Sequence, residues 1–228
     1  MPAQRRTTPR VALPAELEHE RRRYEAYLDD ATALLERFAR EHGWEAHVAT
    51  AFPSVVEVYL DQRSLWRRLR AAFALPPRTP LPTPTLAGAV VGDALAVLTP
   101  DAYARVAPHY GAAAGAYVRL IAHELTHRLH VAILAGDEDA MGPRWFYEGF
   151  AVLASGDLQG LPEPDLATLW VSLHDDGSGA YARYGAALRR LARTVPLPEL
   201  VAAAGRDDFE GWLRSRVERA ERGREGVG

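Results

Sequence analysis

The chain has 228 residues, 48% of them hydrophobic, enough to bury a core in one large domain or two small ones and too apolar for a disordered, collagen-like or fibrous architecture. All 27 basic residues are Arg, set against 30 acidic ones for a formal net charge of -3, so no global charge draws the chain to nucleic acid or anionic lipid. There is no Cys, which excludes disulfides and thiolate metal ligands.

Residues 1–12 are polar and Pro-bearing and read as a flexible segment without the apolar stretch of a secretory signal. No apolar run approaches the roughly 18 residues of a membrane span, and the chain is expected to be soluble and cytoplasmic. From Pro14 to His42, the positions Leu17, Tyr24, Leu28, Ala31, Leu34, Leu35 and Phe38 recur at the period of an amphipathic helix, which Gly43 ends. Residues 46–51 and 55–60 have the lengths and β-branched content of strands, separated by Phe52-Pro53-Ser54. Asp61 is placed to cap a helix through Leu65, Trp66, Leu69 and Phe73.

Prolines at 76, 77, 80, 82 and 84 make an extended loop. Residues 85–91 and 94–98 around Gly92-Asp93 then read as a hairpin joining the earlier strands. Helices are expected at 113–135, 144–156, 163–173, 180–194, 197–204 and 207–221. Strands first and helices after predict an α+β fold: a small mixed or antiparallel sheet, then an active-site helix and a helical C-terminal half. The expected organisation is a single domain over 13–221, with a helix and sheet part at 13–110, a helical catalytic part at 111–221, and a flexible tail at 222–228. The Arg clusters at 5–6, 21–23, 67–68 and 189–190 mostly have acids nearby and read as solvated faces, so neither a nucleic-acid nor a membrane partner is expected.

The segment His123-Glu124-Leu-Thr-His127 is an H-E-x-x-H inside a predicted helix. At about 100° per residue, His123 and His127 lie about 40° apart on one face, one turn apart along the axis, so two imidazoles can reach one cation. Glu124 lies about 60° from His127, beside that face, where a general base acting on a metal-activated water belongs. The preceding Ala-Tyr-Val-Arg-Leu-Ile-Ala is nearly apolar, which puts the histidines on a buried or cleft-lining helix.

A catalytic zinc needs a third protein ligand and an open position. Asp137, Glu138 and Asp139 fall in a loop signal and read as solvent-facing, whereas Glu148 is the lone acid of an apolar, aromatic helical run where an unpaired carboxylate is costly. The motif His123-Glu124-Leu-Thr-His127 and the run Trp145-Phe-Tyr-Glu148-Gly149-Phe-Ala151, with twenty residues between His127 and Glu148, together resemble the gluzincin metallopeptidases, in particular the small peptidase-MA-like domains. The resemblance implies that His123, His127 and Glu148 bind one Zn²⁺ and that Glu124 is the catalytic base. It also implies a peptide or protein substrate, and that Tyr181, followed by an amphipathic helix, stabilises the oxyanion, with Tyr184 as its rival one turn on.

His130 lies two turns from His123, about 10 Å along the axis, too far to share its metal, and is expected near the site or at the surface. A metzincin site would need Gly and His where His130 and Ile133 stand. The aminopeptidase G-x-M-E-N is absent, since there is no Asn and Met occurs only at 1 and 141, so no preference for a free amino terminus is implied. His19, His42, His47, His109 and His174 lack partner spacing and read as surface residues. The leading expectation is a zinc metallopeptidase. The second is a non-catalytic peptide-binding or scaffold protein of the same fold. Neither sets an oligomeric state.

Overall fold

A computed structural model describes residues 9–81, 86–108, 110–158, 160–177 and 179–225. The fold is α+β, and the chain divides into two compact units, Met1–Leu129 and His130–Gly228.

The first unit is built on a four-stranded mixed sheet. Strand β1 (Arg10–Ala12) lies within the segment expected to be flexible, residues 1–8 of which fall outside the described residues. After a 3₁₀ turn at Ala15–Glu20, helix α1 (Arg21–His42) buries Tyr24, Leu28, Ala31, Leu35, Phe38 and Ala39 along one stripe. Gly43 ends it in the left-handed region (φ 76°), its N–H returning to the carbonyls of Ala39 and Arg40. The strand expected at 46–51 is instead helix α2 (Glu45–Ala51). Three alanines there favour helix, and the buried pair Val48 and Ala51 is spaced at three residues, a helical period that outweighs the β preference of Val48 and Thr50.

Strand β2 (Val55–Tyr59) alternates as expected, with Val56 and Val58 inward. Asp61 caps helix α3 (Gln62–Ala72), its Oδ1 accepting from the Ser64 N–H at 2.8 Å. Strands β3 (Gly88–Val91) and β4 (Ala94–Leu98) form the expected antiparallel hairpin through the Gly92-Asp93 turn. Thr85, the expected start of β3, lies outside the described residues, as do Pro82 and Pro84 of the loop. The order is β1-β2-β4-β3, with β1, β2 and β4 parallel, so β4 is central and wholly buried while β3 forms an edge. Helix α4 (Pro100–Val106), not expected, begins at a Thr99 cap with Pro100 in the first turn. Helix α5 (Ala116–Ile133) follows, its last turn from His130 belonging to the second unit.

The second unit is helical among its described residues. Helices α6 (Arg144–Ser155), α7 (Leu166–Ser172), α8 (Ala180–Ala192), α9 (Leu197–Ala203) and α10 (Phe209–Glu225) match the predicted series with shorter ends, except that α10 runs into the expected tail, of which residues 226–228 lie outside the described set. A stack of Trp145, Phe209 and Trp212 joins α6 to α10, and Trp145 Nε1 donates to Glu210 Oε1 at 2.9 Å. Helices α6 and α8 meet at two glycines. A β-carbon on Gly149 would come within 2.9 Å of the Tyr184 carbonyl oxygen, and one on Gly185 would collide with Val152. Only Gly at both places lets the backbones approach this closely.

Candidate metal centre

Helix α5 is apolar on most of its surface, with Tyr117, Leu120, Ile121, Ala122, Leu125 and Leu129 buried. Its polar residues are therefore enclosed: His123 is 6% exposed and Glu124 9%. The rings of His123 and His127 lie edge to face with centroids 4.9 Å apart, as the one-turn spacing requires.

Two contacts tie this helix to the β3–β4 hairpin. The Glu124 carboxylate lies against the backbone of Gly88 at the start of β3, with Oε1 2.9 Å from where a β-carbon would stand. One turn on, the Arg128 guanidinium donates to the carbonyls of Ala51 (2.9 Å), Phe52 (3.2 Å) and Gly92 (2.8 Å) and to Asp93 Oδ1 (3.0 Å). The first two of these carbonyls close helix α2, whose end would otherwise lack donors.

Glu148 is 8% exposed on α6, a helix whose Trp145, Phe146 and Phe150 are also buried. Its Oε1 accepts from the Tyr181 hydroxyl at 2.8 Å. Burial, and then the charge of Glu148, push the Tyr181 hydroxyl well above the ordinary tyrosine range. Arg144, one turn before Glu148, stands with its guanidinium 5.8 Å from the Tyr181 ring centroid. Its interaction with Tyr181, and then the charges of Asp176 and Glu148, raise its pKa against the effect of burial. Tyr184 points elsewhere: its hydroxyl donates to Asp176 Oδ1 at 2.5 Å, and burial followed by that bond lifts it to about 12.

His123, His127 and Glu148 each offer one ligand atom, and all three atoms lie within 4.8 Å of one another. It is the one such group of metal-ligating side chains found among the described residues. Tetrahedral zinc with bonds of about 2.0–2.2 Å spaces its donors at roughly 3.4 Å, within the 4.8 Å that encloses these three atoms. Two imidazoles and one carboxylate are also a donor set of catalytic zinc, leaving a coordination position open. The residues present fit the metal.

The remaining candidates fall where their environments dictate. Asp137, Glu138 and Asp139 are exposed, with Asp137 Oδ1 accepting from the Ala140 N–H. His130 is not at the surface: it is fully buried, its ring 4.5 Å from Phe150 and 5.8 Å from Phe146, and it is outside the ligand group. His42 is half-buried against Phe38 and Trp44, and burial lowers its pKa. His47 is half-buried, His19 and His174 are exposed, and His109 lies outside the described residues. Sequence reading passed over Gly88, Arg128 and Arg144. Of these only Arg144 left a local signal, an opposite charge four residues before Glu148.

No known protein family, curated protein or solved structure matches the chain.

Proposed function

We propose that the chain is a zinc-dependent metallopeptidase. The observation that carries this reading is the convergence of the His123, His127 and Glu148 donor atoms within 4.8 Å on helices whose other residues are largely apolar. These three side chains would hold one Zn²⁺ per chain, and the metal, when bound, would supply Lewis-acid polarisation of the scissile carbonyl and of the attacking water.

Glu124 is the general base. It takes a proton from the attacking water and passes it to the leaving amine. Its burial and its rest against Gly88 fix its direction before substrate arrives, which removes a reorganisation step from the reaction. Strand β3 pairs with β4 on one side, and its other edge would bind an extended peptide through main-chain hydrogen bonds, a mode that asks little of the substrate's side chains.

The test pairs metal analysis with incubation in a mixed peptide library, for wild type and Glu124→Gln. The expected result is about one zinc per chain in both, with chelator-sensitive cleavage by wild type alone. Metal-free wild type after purification with added zinc would overturn the proposal. Full zinc occupancy without cleavage would favour the peptide-binding reading.

A further inference from the structure

A phenol hydroxyl has one hydrogen to donate, and Tyr181 gives it to Glu148 Oε1 at 2.8 Å. A donor so committed cannot at the same time face a developing oxyanion. A carboxylate has two oxygens, so a bond at Oε1 leaves Glu148 a ligand atom while fixing its rotation about the last side-chain torsion, which is otherwise soft.

The packing of α6 on α8 brings the two side chains together. Gly149 and Gly185 let α6 and α8 close to backbone contact, and Tyr181 precedes Gly185 by one helical turn as Glu148 immediately precedes Gly149. The hydroxyl therefore arrives at the carboxylate through the helix crossing itself. Arg144 stands 5.8 Å from the Tyr181 ring centroid, interacts with its hydroxyl and pairs with Asp176 at 3.6 Å, so it is a second partner to the side chain that meets Glu148.

We propose that Tyr181, supported by Arg144, is a positioning residue that orients the Glu148 carboxylate for zinc, and that it acts through this ligand instead of on the substrate. The inference rests on the zinc reading of the site. Groups that hydrogen-bond a metal ligand pre-set its direction, and their loss typically lowers metal affinity by roughly 10- to 100-fold.

The experiment measures the zinc dissociation constant by competition with a chromophoric chelator for wild type, Tyr181→Phe, Arg144→Ala and Tyr184→Phe. The expected result is roughly 10-fold or greater weakening in Tyr181→Phe, a smaller weakening in Arg144→Ala, and affinity within about two-fold of wild type for Tyr184→Phe, whose hydroxyl serves Asp176. Tyr181→Phe with wild-type zinc affinity but impaired cleavage would overturn the inference, because only a donor to the substrate behaves so. If Tyr181→Phe does not fold, Arg144→Ala decides: weakened affinity supports the inference and wild-type affinity overturns it. Wild type that binds no zinc would instead bring down the reading of the site on which the inference stands.

Discussion

The carboxylate of Glu124 occupies the space that any side chain at Gly88 would need, with Oε1 2.9 Å and Cγ 3.0 Å from an ideal β-carbon there. The edge strand and the proposed base are thus fitted to one another at van der Waals contact, and Gly88 owes its identity to this neighbour instead of to a turn.

Replacing Gly88 by Ala is expected to push Glu124 aside. Misplacement of a catalytic group by about 1 Å can cost on the order of 100-fold in rate, so kcat/KM for peptide cleavage should fall by that order while zinc content stays at the wild-type level. A Gly88→Ala protein with unchanged kcat/KM would show that the carboxylate has room to spare.

Arg128→Ala removes four hydrogen bonds from a guanidinium whose side chain is only 17% exposed, and leaves the carbonyls at the end of α2 without their donors. The expected loss of folding stability is about 2–3 kcal/mol. It should be read as a lower urea midpoint at unchanged slope.

Gly185→Ala places a methyl group on Val152 at the α6–α8 crossing. Overpacking of this kind destabilises by about 1–3 kcal/mol, and Val152→Ala in the same chain should restore part of the loss by vacating the space. The double variant is then more stable than Gly185→Ala alone in thermal unfolding, a non-additivity expected of residues in contact.

Glu57 gives the chain an acid-sensitive contribution. Burial pushes its carboxyl up, but hydrogen bonds from Arg68 (2.8 Å) and Tyr59 (2.8 Å) and the charges of Arg68 and Arg10 outweigh this and hold it below the usual 4.5. The unfolded chain therefore binds more protons as pH falls through this range. The stabilisation is complete above the unfolded value and is lost as pH drops through the lower folded one. In urea titrations from pH 7 to about pH 3, the stability advantage of wild type over Glu57→Gln should shrink with acidification. A constant difference across that range would exclude the pairing as its source.

Elements with a local cause were legible in the sequence. Gly43 ends α1 because the left-handed cap needs no β-carbon, Asp61 caps α3, and the Gly92-Asp93 turn sets the hairpin. The grouping of His123, His127 and Glu148 was legible for the same reason: one turn of helix puts His123 beside His127, and a lone acid in a run holding Trp145, Phe146 and Phe150 needs a partner. Elements with a distant cause were not legible. Residues Arg10–Ala12 become a strand only because the register Val11↔Val56 offers them a parallel partner, and three residues have no periodicity to read. Helix α2 resembles a strand in sequence because Val48 and Thr50 carry β preference, while their alanine neighbours decide the outcome. The bond between Tyr181 and Glu148 depends on how closely two glycines let α6 and α8 approach, which no spacing within either helix encodes. Thr99-Pro100 is a local helix start, a cap followed by a first-turn proline, at the head of α4.

Glu124 and Arg128 touch opposite ends of β3, the first at Gly88 and the second at the Gly92-Asp93 turn. The two side chains stand one helical turn apart on α5, so a single turn of that helix holds both ends of the strand, like a caliper set to one length. An insertion or deletion of a single residue inside β3 would leave the helix able to hold one end only, and would turn the strand's remaining side chains to the opposite face. Changes of chain length in this protein should therefore survive in the exposed turn around Asp137 and Glu138 and be lost between Gly88 and Asp93.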